Sequence, residues 1–326
     1  MTFGAAHLDP RDAYAEVPIL KQPTWRNEIA AYFYLGGVSG GASVIAALAE
    51  LVGGRSLKRL AHVAHWVAFV TLLPCPPLLI ADLGVPARFH HMLRVFKPSS
   101  PMNLGSWILT SHGALLAMAT LRPVADRIPL VGGLLRIVPS RPLAAAEVPL
   151  GVGLGGYAGV LIGTTSTPVW SHSPVLGGLF MASSMSTGAA AVSLAASFSN
   201  ESATERDALS TISTGSGLVE LLLLALYLVS SGKAARPLLE GRALGVTVGG
   251  ALATGSAVAL EAIGARVPFG GGLLRRAAAV CALAGGAALR FGVIHAGRPS
   301  ANDRDQTLRG MAPSERAPGW SSPHAG

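Results

Sequence analysis

The strongest constraint in this 326-residue sequence is a series of eight long apolar stretches. A helix of about 20 consecutive apolar residues crosses a bilayer, and each stretch is close to that length. Backbone polar groups must be paired with one another inside lipid, so such stretches are expected to be helical. They cover residues 28–52, 60–83, 104–122, 145–168, 174–199, 208–231, 242–263 and 273–296.

The composition supports a membrane environment. Only 13% of the residues are charged, against about 25% in an ordinary soluble domain, and the 40 glycines suit helices that pack closely in lipid. We therefore predict an all-α polytopic membrane protein with about eight transmembrane helices in two packed four-helix bundles. The net charge of +8 falls mainly between the apolar stretches, so membrane lipid is the expected partner and nucleic acid is not.

Three regions are predicted along the sequence. Residues 1–27 form an extramembrane segment without the apolar core of a signal peptide, so we expect the first spanning helix to direct membrane insertion. Residues 28–296 form the transmembrane domain. Residues 297–326 are polar and rich in Pro and Gly, which predicts a disordered tail. Cys75 and Cys281 lie in separate apolar stretches and are interpreted as packing residues.

Helix alternation predicts which polar residues share a membrane face. Lys and Arg divide almost equally between the two sides, so the orientation is left open. The face where helix 1 begins, named here the terminal face, is expected to gather Trp25, Asn27, Glu28, Asp82, Arg88, His90, His91, Met102, Trp107 and His172. The opposite face is expected to gather Glu50, His62, His65 and Glu147.

The connection over residues 78–107 is the most polar and proline-rich part of the terminal face. Asp82 ends one helix and can pair with Arg88, while three prolines fix the backbone φ angle along the segment. One interpretation is an interfacial loop with an ordinary ion pair, and the other is a binding surface.

Ionisable residues inside spans are costly and usually face a cavity or a partner. Glu220 lies near the middle of its predicted helix, which favours an internal hydrogen bond or a proton relay. A proton route to the opposite face could use Glu220, Glu147, His62, His65 and Glu50.

Haem needs two imidazoles from facing helices. His62 and His65 share one helix and His112 lies at another depth, which leaves His112 with His295 as the remaining pair. No haem and no metal site are predicted.

Five segments occur in a specific order along the sequence. They read TWRNEIAAYFYLGGVSGGA at 24–42, LIADLGVPARFHHML at 79–93, KPSSPMNLGSW at 97–107, GYAGVLIG followed by PVW at 156–170, and LGGLFMASSMSTGAA at 176–190. A weaker match continues through LRFGVIHAG at 289–297. In this order they resemble the NrfD/PsrC family, the integral membrane subunits of polysulfide reductase-type and related molybdoenzyme complexes.

The resemblance implies an eight-helix, haem-free subunit in the inner membrane of a prokaryote. It implies a bound quinone, either menaquinone or ubiquinone, which exchanges electrons with an iron–sulfur ferredoxin-like partner. A separate molybdenum-type subunit would carry the substrate chemistry, so no catalytic residue is expected in this protein. The implied quinone pocket involves Asn27, Glu28 and Tyr32 from helix 1, Asp82 and Arg88 from the 79–93 segment, and Tyr157 from helix 4.

A quinone needs an apolar slot and hydrogen-bond donors at its carbonyl oxygens. Tyr157 and Asn27 are predicted to contact the carbonyls, and Glu28, Asp82 and His90 are predicted to move protons. Two other functions are left open. A secondary transporter would use mid-span carboxylates, although no internal repeat is visible. A membrane anchor would bind the partner protein without binding quinone.

Overall fold

The computed structural model describes residues 20–127, 133, 138–199, 201–267 and 271–303. Within these residues, eight helices are long and apolar enough to cross a membrane, which confirms the predicted all-α polytopic fold. They are α1 Asn27–Val52, α2 Lys58–Ala81, α3 Pro101–Leu121, α4 Ser140–Gly163, α5 Leu176–Ala196, α6 Ala203–Ser231, α7 Gly241–Gly264 and α8 Gly271–Asn302. The division into two four-helix bundles stays a prediction. Residues 1–19 and 304–326, which include most of the predicted tail, lie outside the described residues.

Helices α1 and α5 form the centre of the packing. Helix α1 contacts α2, α4, α5 and α8, and α5 also contacts α4, α6 and α8. The approach is close because small residues meet there: a Cβ atom added at Gly41 would lie 2.0 Å from the Ser184 carbonyl oxygen, and one at Gly40 would lie 2.6 Å from that of Gly151. Backbone-to-backbone packing of this kind is a common way for helices to associate in lipid.

Proline determines the shape of α2. The helix is interrupted at Leu73–Pro74 and resumes as Cys75–Ala81, because proline has no N–H for the preceding turn. Several boundaries differ from the sequence prediction by up to six residues, and helix α6, for example, begins at Ala203 rather than 208. Helix α4 covers Ser140–Gly163 rather than 145–168, since Pro168 begins a separate short helix. Helix α8 continues to Asn302 rather than ending at 296.

The contacts at the terminal face agree with the predicted alternation of the helices. The His295 ring in the last part of α8 hydrogen-bonds the Asn27 side chain at the start of α1, over 2.8 Å. Trp25 stacks on Trp170 from the α4–α5 connection at a centroid distance of 5.5 Å, and the Trp170 indole N–H donates to the Val293 carbonyl over 2.7 Å. The start of α1, the α4–α5 connection and the end of α8 therefore lie on one face.

Candidate functional site

Two carboxyl groups approach each other at the terminal face. Glu28 lies in the first turn of α1, where the helix dipole favours a negative charge, and Asp82 follows the end of α2. Burial raises the pKa of Asp82, nearby Glu28 raises it further, and Arg26 acts in the opposite direction. Glu28 Oε2 is buried and has no hydrogen-bond partner among the described residues. The structure therefore places two neighbouring carboxyl groups at this face, one of them with a raised pKa.

The interpretation that Asp82 pairs with Arg88 does not hold in the structure. No ion pair within 4.0 Å joins them among the described residues, and the charged neighbours that affect Asp82 are Glu28 and Arg26. Arg88 belongs to a short 3₁₀ turn, Pro86–Arg88, that follows α2. Arg88 and His90 are both exposed, which places them at the rim of the site rather than inside it.

Tyr157 and Tyr32 lie deeper than the carboxyl groups and are both buried. The Tyr157 hydroxyl donates to the Pro101 carbonyl over 2.8 Å, and its ring occupies the space that a side chain at residue 105 would take. Tyr32 lies near Tyr157 and Cys75, and the Cys75 thiol points to the Tyr32 carbonyl at 3.9 Å. The structure thus brings together predicted residues from α1 and α4 with the start of α3.

Asn103 organises the loop between α2 and α3, a role that the sequence interpretation missed. Its amide nitrogen donates to the Met92 and Val95 carbonyls over 2.7 and 2.9 Å, and its oxygen accepts from the Lys97 backbone N–H over 2.7 Å. The signal in the sequence is an asparagine two residues after Pro101, in the first turn of α3. A polar side chain at that position can hydrogen-bond to backbone groups that precede the helix.

An open, mostly apolar cavity of about 300 Å³ lies between α2, the short helix His91–Arg94 and α3. Its volume is at the lower end of the range typical of small-molecule sites. None of the predicted quinone residues is part of its lining. Two of its lining residues are close in sequence to that set: Ile80 precedes Asp82 by two positions, and Ser106 follows Gly105, against which Tyr157 packs. Phe89 contributes an aromatic ring, and two hydroxyl groups come from Ser106 and Thr110.

Asn27 is also tied to a residue that was not among the predicted quinone residues. Its side-chain oxygen is 2.8 Å from His295 Nε2, and the His295 ring stacks on Phe291 at 6.4 Å. His112, the other imidazole considered for haem, is fully buried, and neither of its ring nitrogens has a hydrogen-bond partner among the described residues.

On the opposite face, three of the predicted proton-transfer residues meet. His65 Nε2 is 3.0 Å from Glu147 Oε2, and His65 Nδ1 is 4.0 Å from Glu50 Oε1. Glu147 is fully buried, and its second oxygen has no partner among the described residues. His62 is exposed and instead packs edge-on against Trp66, so it does not belong to this group.

Glu220 lies in a separate mid-span cluster. The hydroxyls of Ser183, Ser186 and Thr254 are within hydrogen-bonding reach of its carboxyl group, and Arg290 is a charged neighbour. Glu220 Oε2 has no partner among the described residues. The structure therefore divides the residues of the predicted proton route into two groups. Glu220 lies among α5, α7 and α8, whereas Glu147 and His65 lie together beside α1.

Arg290 is a fully buried cation that was not predicted as a functional residue. Its five N–H groups are all used: Nε donates to the Phe33 carbonyl, Nη1 to Ser183 Oγ and the Gly286 carbonyl, and Nη2 to the Phe180 carbonyl and Ser184 Oγ. The available signal was an arginine inside the apolar run GGAALRFGV, since charges within spans usually have specific internal partners.

The eight spans and the polar residues at one face define a polytopic α-helical membrane protein. A family model described as "Polysulphide reductase, NrfD" matches residues 19–300, so the protein belongs to the NrfD family, which confirms the resemblance. The C subunit of the polysulfide reductase of Wolinella succinogenes is 30% identical over 179 residues, which is 50% of the present sequence and 55% of that subunit. The match thus spans about half the length of this relative.

Proposed function

We propose that this protein is the quinone- or quinol-binding subunit of a polysulfide reductase-type complex in the inner membrane of a prokaryote. The quinone, menaquinone or ubiquinone, carries two electrons and two protons between the membrane pool and an iron–sulfur ferredoxin-like partner. A molybdenum-type catalytic subunit would act on the terminal substrate. Membership in the NrfD family and the similarity to a polysulfide reductase subunit support this assignment.

The observation that carries the proposal is the carboxyl pair of Glu28 and Asp82, together with an apolar cavity lined by the same helix α2 that Asp82 follows. A quinone ring requires an apolar slot, and the slot between α2 and α3 has about 300 Å³. The carbonyl groups of a quinone require nearby proton donors. Asp82 has a raised pKa, and Glu28 Oε2 has no hydrogen-bond partner among the described residues. A buried polar atom without a partner is unfavourable unless a ligand or water completes it.

The roles of individual residues follow from their hydrogen bonds. The Tyr157 proton is already donated to Pro101, so towards a quinol hydroxyl the phenolic oxygen would act as an acceptor. The Asn27 amide nitrogen remains available as a donor, because its oxygen is the atom that meets His295. Asp82 and Glu28 hold the exchanged proton, and exposed His90 passes it to solvent at the rim.

Proton movement to the opposite face would need more than this site. The Glu147–His65–Glu50 group places a carboxyl oxygen within 4.0 Å of each ring nitrogen of His65, and Glu220 provides a second mid-span group. Both are part of the proposal as proton-transfer residues, and His62 is the weakest member because it is exposed on the outer surface of α2.

The test uses the full-length protein purified gently from membranes. Quinone is extracted and identified, co-purifying iron–sulfur protein is detected by metal and acid-labile sulfide analysis, and quinone binding is then titrated in lipid nanodiscs. Quinone together with the partner supports the proposal. The partner without quinone, with no binding on titration, would identify a membrane anchor. Neither partner nor quinone would favour transport.

A further inference from the structure

A second open cavity, of about 410 Å³, lies at the opposite face and is predominantly polar. It is bounded by the end of α5, the start of α6, and the segments on either side of the α7–α8 connection. Ser193, Ser197 and Ser199 contribute hydroxyl groups, and Arg206, Arg275 and Arg276 contribute guanidinium groups. Such a concentration of arginine in one cavity is not explained by quinone chemistry at the terminal face.

The three arginines differ in how far they are already engaged. Arg276 is anchored, because its Nε and Nη2 donate to the Ser197 hydroxyl and carbonyl over 3.1 and 2.8 Å. Arg206 and Arg275 have no hydrogen-bond or ion-pair partner within 4.0 Å in the part of the protein that the structure describes. Two forked cationic groups thus line a cavity with their donors available.

Acidic residues only partly balance this charge. Glu205 already caps α6 through Ser202 and pairs with Arg59 over 3.2 Å. Glu201 lines the cavity and has Arg206 and Arg275 as charged neighbours, and its Oε1 is buried without a partner among the described residues. Glu261 on α7 is a second acidic neighbour of Arg275. Burial raises the pKa of Glu201 against the opposing effect of the arginines, which weakens its ability to neutralise them. The cavity retains an excess of positive charge.

Apolar side chains flank the polar cavity. Phe198, between two of the lining serines, is 76% exposed and lies under the Arg276 guanidinium at 5.1 Å. Leu273, next to the lining residue Gly272, is 74% exposed. A ligand that satisfies both features has an anionic head and apolar tails. Guanidinium groups match phosphate oxygens in a bidentate geometry, and basic pockets between membrane helices are suited to anionic headgroups.

We propose that this cavity binds the phosphate group of one anionic phospholipid, with Arg206 and Arg275 as the phosphate ligands and with Phe198 and Leu273 against the acyl tails. Free phosphate has the same headgroup chemistry but leaves the apolar rim uncovered. The site is independent of the proposed quinone function, because it lies on the other membrane face and shares no residue with it.

The full-length protein is reconstituted in phosphatidylcholine nanodiscs that contain a minority of phosphatidylglycerol, and the phospholipids retained after release into detergent are counted by native mass spectrometry. Wild type is expected to retain one phosphatidylglycerol. The Arg206→Gln/Arg275→Gln variant should retain it roughly tenfold less well, since two charged donors are lost. The matched control is Arg141→Gln, an exposed arginine at the start of α4 on the same face.

Three outcomes decide the proposal. Equal retention by wild type and the double variant would overturn it, and so would equal loss in the Arg141→Gln control. Binding of inorganic phosphate without retention of any phosphatidylglycerol by wild type would support an anion site but overturn the lipid as its ligand. Lipid retention is also measured for Arg206→Gln and Arg275→Gln singly. Thermal unfolding in detergent is recorded for every variant, so that a folding defect can be distinguished from a loss of lipid binding.

Discussion

Replacing Gly105 with alanine tests whether Tyr157 contacts the quinone headgroup. The added Cβ would lie 2.1 Å from Tyr157 Cζ and 2.2 Å from its hydroxyl oxygen. An ordinary contact begins near 3.4 Å, so the Tyr157 ring must move by about 1.3 Å, which is the difference between 3.4 and 2.1 Å. The clash involves the distal end of a side chain, so the backbone of α3 can stay in place.

The expected effect on binding follows from this displacement. A shift of that size breaks or lengthens a hydrogen bond to the Tyr157 oxygen, which costs roughly 1 to 1.5 kcal/mol and raises the Kd for quinol about tenfold. Tyr157→Phe, which removes the oxygen without moving the backbone, should have a similar effect. The measurement is a titration of the protein in nanodiscs with a short-tailed quinol.

The control is Gly153→Ala on α4, one turn before Tyr157, where the added Cβ meets Ile108 at 3.6 Å and needs no rearrangement. Its Kd is expected to stay within about twofold of wild type, consistent with a minor change of roughly 0.4 kcal/mol. If Gly105→Ala and Tyr157→Phe both bind quinol with the wild-type Kd, the assignment of Tyr157 as a headgroup contact is wrong.

Two further predictions concern the carboxyl groups. Quinone affinity should fall as the pH rises through the raised pKa of Asp82, because the ionised form loses its donor, and Asp82→Asn should flatten this dependence because the amide donates at every pH. A slope that persists in Asp82→Asn would assign the titration to another group. His65→Phe should lower the free energy of unfolding by roughly 1 to 3 kcal/mol, since Glu147 then has no partner for either buried oxygen. His62→Phe, at an exposed position on the same helix, should change it by less than about 0.5 kcal/mol, and equal thermal unfolding of the two variants would refute this account.

The sequence predicted the helices and their alternation because both depend on one-dimensional properties. Hydropathy over about 20 residues determines whether a segment spans the bilayer, and an even number of spans determines which ends share a face. The approach of Glu28 to Asp82 follows from that alternation, although the two residues are far apart in sequence. The helix boundaries were predicted less precisely, because hydropathy does not show where a proline begins a new helix. Pro168, for example, begins a separate short helix and does not end α4.

The lateral arrangement of the helices could not be predicted in the same way. A helix that is apolar on every side gives no indication of which face meets which neighbour, so the partners of Arg290 and the separation of Glu220 from Glu147 had no signature in the sequence. The pairing of Asp82 with Arg88 was wrong for a related reason. Closeness in sequence favoured it, but the charged neighbours of Asp82 are Glu28 and Arg26 at the start of α1.

Arg290 connects the proposed quinone region at the terminal face with Glu220 in the middle of the membrane. Its Nε binds the carbonyl of Phe33, the residue after Tyr32 in the quinone region of α1. Its Nη1 binds Ser183, whose hydroxyl is also within reach of Glu220. All five acceptors are neutral, and these bonds, together with the nearby Glu220 carboxyl group, offset the cost of burying the cation. A displacement of α1 at the proposed quinone site would therefore move the Arg290 guanidinium group and change the surroundings of Glu220. This connection gives the mid-span carboxyl group a physical link to the terminal face through hydrogen bonds. The Glu147–His65 pair is linked to that face along the helices α4 and α2 that carry these two residues.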